Sequence, residues 1–136
     1  MPARILIIED DASSRELVRY LLVSAGYATL DADDGGMGLQ MALETNPDLV
    51  ICDLQMPVMN GYEVVRRLRE HPDWRHKPLI AVTAFSMAGD RETALAVGFD
   101  EHITKPIVPE TFVEQIEVFL AAELRAKRPF DQPKKR

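Results

Sequence analysis

Apolar residues fall along this chain in two rhythms. Short unbroken runs, Ile5-Leu6-Ile7-Ile8, Leu49-Val50-Ile51-Cys52 and Leu79-Ile80-Ala81-Val82, read as strands buried on both faces. Between them apolar positions recur at helical spacing: Leu17, Val18, Leu21, Leu22 and Ala25; Val64, Val65 and Leu68; and Phe112, Val113, Ile116, Phe119, Leu120 and Leu124. Taken in order, the pattern predicts strands at 4–8, 27–30, 49–53, 79–83 and 101–104, the last short and poorly apolar. It predicts helices over about 12–25, 35–45, 61–70, 89–97 and 109–124. Ser13 with Glu16 fits a capping box for the first helix, and Gly26 ends it. Asn46-Pro47 breaks the second helix, Gly98 stops the fourth and Pro109 opens the fifth. Arg66, Arg67 and Arg69 read as the solvated face of the third helix, and 71–78 as a polar linker with Trp74 a partial cap. Strands alternating with helices predict an α/β fold: a doubly wound parallel sheet covered on both sides.

Composition narrows the class without changing the fold. At 136 residues, 46% hydrophobic and 28% charged, the chain is sized for one domain with a real core. No apolar run reaches the ~20 residues of a membrane span, and Arg4 to Ile8 is too short for a signal peptide. The single cysteine, Cys52, lies within an apolar run, so no disulfide framework exists and a reduced, cytoplasmic setting is expected. The net charge of −6 is unevenly spread: residues 125–136 carry +5, leaving −11 on the rest. An acidic body argues against direct nucleic-acid binding. The expected domain is 1–126, followed by a basic tail over 127–136, solvated and flexible.

The chemistry gathers where the predicted strands end. In an open parallel sheet these ends point one way, and ligands sit in the crevice outside them. Glu9, Asp10 and Asp11 follow the first strand, Asp53 ends the third, Thr83 ends the fourth and Lys105 follows the fifth. Clustered carboxylates repel unless a cation intervenes. Oxygen donors without a Cys or His pair suit Mg²⁺. A carboxylate can also accept a phosphoryl group, with a cation, an ammonium and a hydroxyl offsetting the charge on the phosphoryl oxygens. His71, His76 and His102 lack zinc-ligand spacing, and Gly35-Gly36-Met37-Gly38 lacks the Lys-Ser/Thr of a nucleotide loop.

Four stretches resemble the response-regulator receiver family of two-component signalling: Ile5 through Asp11, Asp53-Leu54-Gln55-Met56-Pro57 with Asn60-Gly61, Thr83-Ala84, and Lys105-Pro106. The resemblance runs from about Arg4 to Leu124. It implies a flavodoxin-like (βα)5 sheet in the order 2-1-3-4-5. It makes Asp53 the phosphoacceptor, Asp10 a direct Mg²⁺ ligand and Glu9 a second acidic contributor, in part through water. Gln55 would offer its backbone carbonyl to the metal, Lys105 would pair with the phosphoryl group, and Thr83 would swing to bond it. A cis Lys105-Pro106 bond is implied as well. Implied partners are a histidine kinase or histidine phosphotransfer protein, a downstream protein on the face of fourth helix, fifth strand and fifth helix, and in some members a second copy as a homodimer. Departures from the pattern are Glu9 for the commoner Asp, His102 for the switch aromatic of the fifth strand, and Gly38 for Ala. Gln55 and Phe85 stand where the family controls the lifetime of the phosphorylated state. Three rivals stay open: a receiver piece of a larger hybrid kinase or multidomain regulator, a flavodoxin-like cofactor binder, and a Mg²⁺-dependent phosphatase with Asp53 as nucleophile. The phosphatase lacks its usual second Asp, because Gln55 holds that position.

Overall fold

The structure, a computed structural model, describes residues 2–84 and 87–126. Five strands form one parallel sheet: β1 (Arg4–Ile8), β2 (Ala28–Ala32), β3 (Leu49–Asp53), β4 (Leu79–Thr83) and β5 (Glu101–Thr104), in the order β2-β1-β3-β4-β5. The helices are α1 (Ala12–Ser24), α2 (Gly35–Thr45), α3 (Gly61–Leu68), α4 (Asp90–Val97) and α5 (Pro109–Glu117), with short 3₁₀ turns at Pro72–Trp74 and Ala122–Leu124. No helix among the described residues is long and apolar enough to cross a membrane.

Period-two alternation splits the strand side chains between two cores. Ile5, Ile7, Ile51, Ile80, Val82 and Ile103 meet Val18 and Leu22 of α1 and Phe112 and Ile116 of α5. Leu6, Ile8, Val50, Cys52, Leu79 and Ala81 meet Ala42 of α2, Val64, Val65 and Leu68 of α3, and Ala94 of α4. This explains why β3 and β4, buried at every position, carry continuous apolar runs. Gly38 departs from the family pattern because α2 sits against β1. A Cβ there would lie 2.5 Å from Ile8 Cδ1, so even alanine would require Ile8 or the helix to shift.

Several local expectations are corrected. The first helix is capped by Asp11, whose carboxylate accepts from the Ser14 N–H at 2.8 Å, and not by Ser13. Because the helix begins at Ala12, the cap falls on the residue before it, and Glu16 pairs instead with Arg19 at 2.9 Å. The second strand is shifted to Ala28–Ala32 so that it pairs with β1 along its length. The fifth helix stops at Glu117, short of Leu124. There the buried Tyr27 hydroxyl bonds the Glu117 carboxylate and accepts from Ala126 N–H at 3.1 Å, while Ala3 N–H donates to Leu124 O at 2.8 Å. These bonds turn the chain back onto the β1 and β2 edge. Phe119 and Leu124 pack on the core, though not as part of α5.

Two residues read as peripheral are interior. Trp74 is 1% exposed and belongs to the α3 side core, with the Lys77 ammonium 4.9 Å from its ring centroid. Arg66 and Arg67 are solvated as expected, but Arg69 is not. Its guanidinium donates to the carbonyls of Trp74 at 2.6 Å, Lys77 at 2.8 Å and Gly98 at 2.7 and 2.9 Å, and to Asp100 Oδ2 at 3.0 Å. The basic tail over 127–136 lies outside the described residues.

Candidate functional site

The carboxyl ends of β1, β3 and β4 and the loop after β5 bring the candidate residues together. Register places them: Ile8 lies opposite Cys52, Asp53 opposite Val82 and Thr83 opposite Thr104. Glu9 and Asp10 therefore step off β1 beside Asp53, and Lys105 steps off β5 beside Thr83. The Lys105 N–H donates to Thr83 O at 2.8 Å, and the Lys105–Pro106 bond is cis as expected.

Glu9 and Asp53 are 4% and 7% exposed, whereas Asp10 is exposed. One carboxylate oxygen from each lies within 4.8 Å of the others. Among the described residues this is the one group of acids, cysteines or histidines spaced to hold a metal ion. Its donors are all oxygen, a set that fits Mg²⁺ and suits softer metals poorly. The Lys105 ammonium sits 2.7 Å from Glu9 Oε1 and 3.7 Å from Asp53 Oδ2. Glu9 Oε2 also accepts from the Asp11 N–H at 3.2 Å, and Asp53 Oδ1 accepts from the Gln55 N–H at 3.2 Å. Burial pushes the Glu9 carboxyl above the usual range, and the neighbouring Asp53 pushes the same way; Lys105 opposes both. Burial likewise pushes the Cys52 thiol up, so this cysteine is packing and not a reactive group.

The loop after Asp53 is held by its turn residues. Asn60 caps α3 through the Glu63 N–H at 3.0 Å, and Gly61 N–H donates to Leu54 O at 3.0 Å. A Cβ on Gly61 would stand 2.4 Å from Asp53 O. Helix α3 thus abuts the main chain of the candidate residue, and only glycine permits it. Gly61→Ala should cost about 2 kcal/mol by overpacking. Urea denaturation checks this; unchanged stability would show that the loop yields freely. Val58 takes a left-handed backbone at φ 69°, and Met59 N–H donates to Pro57 O at 2.8 Å across it. A β-branched residue there carries strain of about 1–3 kcal/mol beside the site.

The remaining expected residues spread outward. Thr83 is buried at the end of β4. His102 is also buried, on the strand face that looks toward α4, and its Nε2 has no hydrogen-bond partner among the described residues. The side chain of Gln55 is exposed at the mouth, while Phe85 lies outside the described residues. Arg15 was not foreseen. From α1 it donates to Glu9 O at 2.8 Å and faces Asp31 at 3.6 Å, fixing the main chain from which Glu9 projects. A lone arginine one turn into a helix gives no signal in the sequence that separates it from a solvated face.

Comparisons with known proteins agree with this geometry. The chain matches the family described as response regulator receiver domain over residues 5–117. It is 39% identical over 120 residues to the polar-differentiation response regulator DivK of Brucella anthropi, covering 88% of this chain and 98% of that one. The structure superposes on the chemotaxis protein CheY4 of Vibrio cholerae with a TM-score of 0.83 at 31% identity, over 88% of this chain and all of the other. The receiver domain of a sensor histidine kinase from Pseudomonas aeruginosa, solved with a magnesium ion coordinated in its active-site cleft, superposes with a TM-score of 0.80 at 28% identity, over 88% and 98%. Four strand ends, one acid cluster and a match across most of the chain lead to one assignment: this protein belongs to the response regulator receiver domain family of two-component signalling.

Proposed function

We propose that Asp53 accepts a phosphoryl group from a histidine kinase or histidine phosphotransfer protein and that the phosphorylated domain signals by docking to a protein target. The observation that carries this reading is the buried Asp53 carboxylate, grouped with Glu9 and Asp10 and 3.7 Å from the Lys105 ammonium. Asp10, Asp53, the backbone carbonyl of Gln55 and, at the margin, Glu9 would hold Mg²⁺. When bound, Mg²⁺ supplies positive charge against the phosphoryl oxygens. An Asp53 carboxylate oxygen attacks phosphorus as the bond from phosphorus to the donor imidazole nitrogen breaks, and the electron pair of that bond returns to the nitrogen. Lys105 neutralises charge on the transferred group, and the Thr83 hydroxyl donates to one of its oxygens. Gln55 and Phe85 set how readily water reaches the product.

Movement of Thr83 toward the phosphoryl group vacates space on the face it shares with His102, between β4, β5 and α4. That couples the site to the surface formed by α4, β5 and α5. DivK is matched over 98% of its length, which supports the receiver reading. Beryllofluoride with Mg²⁺ should shift amide resonances at Asp53, Thr83, His102 and along α4. Shifts confined to the loop after β3 would sink the proposed output face.

His102 also has a measurable cost. Its buried Nε2 meets no hydrogen-bond partner among the described residues. His102→Phe replaces it with an apolar ring and should raise stability by about 1 kcal/mol. Chemical denaturation reads this; a loss of stability would mean that the imidazole has a partner in solution. Partner affinity of the phosphorylated protein between about pH 6 and 8, compared in wild type and His102→Phe, tests whether the imidazole adds pH dependence to the output.

A further inference from the structure

Two demands converge on Glu9. Its carboxylate belongs to the acid group with Asp10 and Asp53, and the same carboxylate holds Lys105. The arm length matters. Glu carries one methylene more than Asp, and with it Oε1 comes within 2.7 Å of the Lys105 ammonium while Asp53 Oδ2 stays at 3.7 Å. The first distance is a charge-assisted hydrogen bond; the second is an ion pair beyond hydrogen-bond reach. The other oxygen, Oε2, accepts from the Asp11 N–H at 3.2 Å, and Arg15 fixes the Glu9 carbonyl at 2.8 Å. Glu9 is therefore aimed and anchored, 4% exposed, with both carboxylate oxygens engaged. Lys105 is only 17% exposed, so its pair with Glu9 is little screened by solvent.

We propose that Glu9 is a positioning residue that restrains Lys105 in the metal-free site, and that a divalent cation and Lys105 compete for its carboxylate. Cation binding would then release the ammonium toward Asp53 and the incoming phosphoryl group. The inference rests on the receiver reading above and adds an order of events to it. Before the cation arrives, the lysine needed to neutralise the phosphoryl oxygens is tied to Glu9. Afterwards, the carboxylate that held it faces the cation, and Lys105 has Asp53 as its nearest remaining anion. A cation-free site would thus fall short in two ways: it lacks the metal's charge, and its lysine is held back.

The test uses the full-length, unphosphorylated protein with MgCl2 alone. Lysine side-chain Cε resonances are followed by NMR, with Lys105 assigned by Lys105→Met, alongside the amide resonances of Asp10 and Asp53. Glu9→Asp keeps the charge and shortens the arm. Expected in the wild type is a Lys105 shift that titrates together with the two amides. In metal-free Glu9→Asp the Lys105 resonance should already differ from wild type, and it should move less than half as far on adding MgCl2. If Glu9→Asp fails to give a folded spectrum, Glu9→Gln serves. It keeps the reach and removes the charge, and its Lys105 shift should also fall below half. A Lys105 resonance that stays still while the amides titrate would overturn the inference and leave cation binding intact. Equal Lys105 shifts in wild type and variant would overturn it too, because the cation's field alone would then account for them. Amides of Asp10 and Asp53 that do not respond to MgCl2 would overturn the cation-binding reading itself, and the inference with it.

Discussion

Asp53→Asn should take up no phosphate from acetyl phosphate and Mg²⁺, where the wild type gains one hydroxylamine-labile phosphate by intact mass. The amide keeps the shape of the carboxylate but offers no anionic oxygen to attack phosphorus. Undiminished labelling would move the acceptor elsewhere. Asp10→Asn separates the metal from the nucleophile. It should weaken Mg²⁺ binding by roughly tenfold or more, since one charged oxygen is lost from a small set. In EDTA the same variant should be more stable than wild type, by about 1 kcal/mol, because three carboxylate oxygens within 4.8 Å repel when no cation is present. The sign of the pH dependence follows from Glu9, whose folded-state carboxyl is raised by burial and by Asp53. Between the ordinary carboxyl value and the raised one, the folded protein holds a proton that the unfolded chain has released; above that window Glu9 is ionised in both states. Metal-free stability should therefore be gained as pH falls through that raised value and lost as pH rises through it. Saturating Mg²⁺ should flatten this slope. A metal-free Asp10→Asn protein less stable than wild type would contradict the repulsion argument.

How much of this could be read from the sequence depended on whether the signal was local. β3 and β4 were legible because burial on both faces demands unbroken apolar runs, and Asp53 and Thr83 stand out as polar residues at the ends of such runs. The convergence of Glu9, Asp53 and Lys105 was legible as topology: parallel strands put their ends on one edge. What lay beyond pattern was reach. Nothing in the order of residues says that Glu9 rather than Asp53 holds the Lys105 hydrogen bond, because one methylene decides it. The end of the fifth helix was misjudged for a related reason. Phe119, Leu120 and Leu124 keep helical spacing, yet the Tyr27 bonds to Glu117 and Ala126 redirect the chain after Glu117. The capping box at Ser13 was a local pattern outcompeted by another, since Asp11 stands one residue before the helix begins. Trp74 failed as a sequence reading because its neighbours are polar: a polar stretch around a single large apolar residue reads as a surface segment, and here the stretch is pinned so that the ring turns inward.

That pinning gives the largest expected effect on stability. Arg69→Met should cost about 3 kcal/mol, judged from charge-assisted bonds lost and carbonyls left unpaired. The guanidinium gathers the Trp74 and Lys77 carbonyls from the segment before β4 and the Gly98 carbonyl from the turn before β5. It also meets Asp100 Oδ2, which itself accepts from the Leu79 N–H at 2.9 Å. Asp100 N–H donates back to Leu79 O at 2.7 Å, so one side chain ties the starts of β4 and β5 to the end of α3. Methionine fills a similar volume and satisfies none of these acceptors. Arg69→Lys should recover little, because a single ammonium cannot reproduce a planar fork toward three carbonyls. Thermal unfolding should show a fall of roughly 10 °C for Arg69→Met. The functional consequence lies at the other end of the same strands. β4 carries Thr83 to the site, and β5 carries His102 and leads into Lys105. Loosening their starts should raise hydrogen exchange in both strands while the β1 and β3 amides keep their protection. Uniform loss of protection across the sheet would mean that Arg69 contributes only global stability and does not specifically hold the β4 and β5 edge in register.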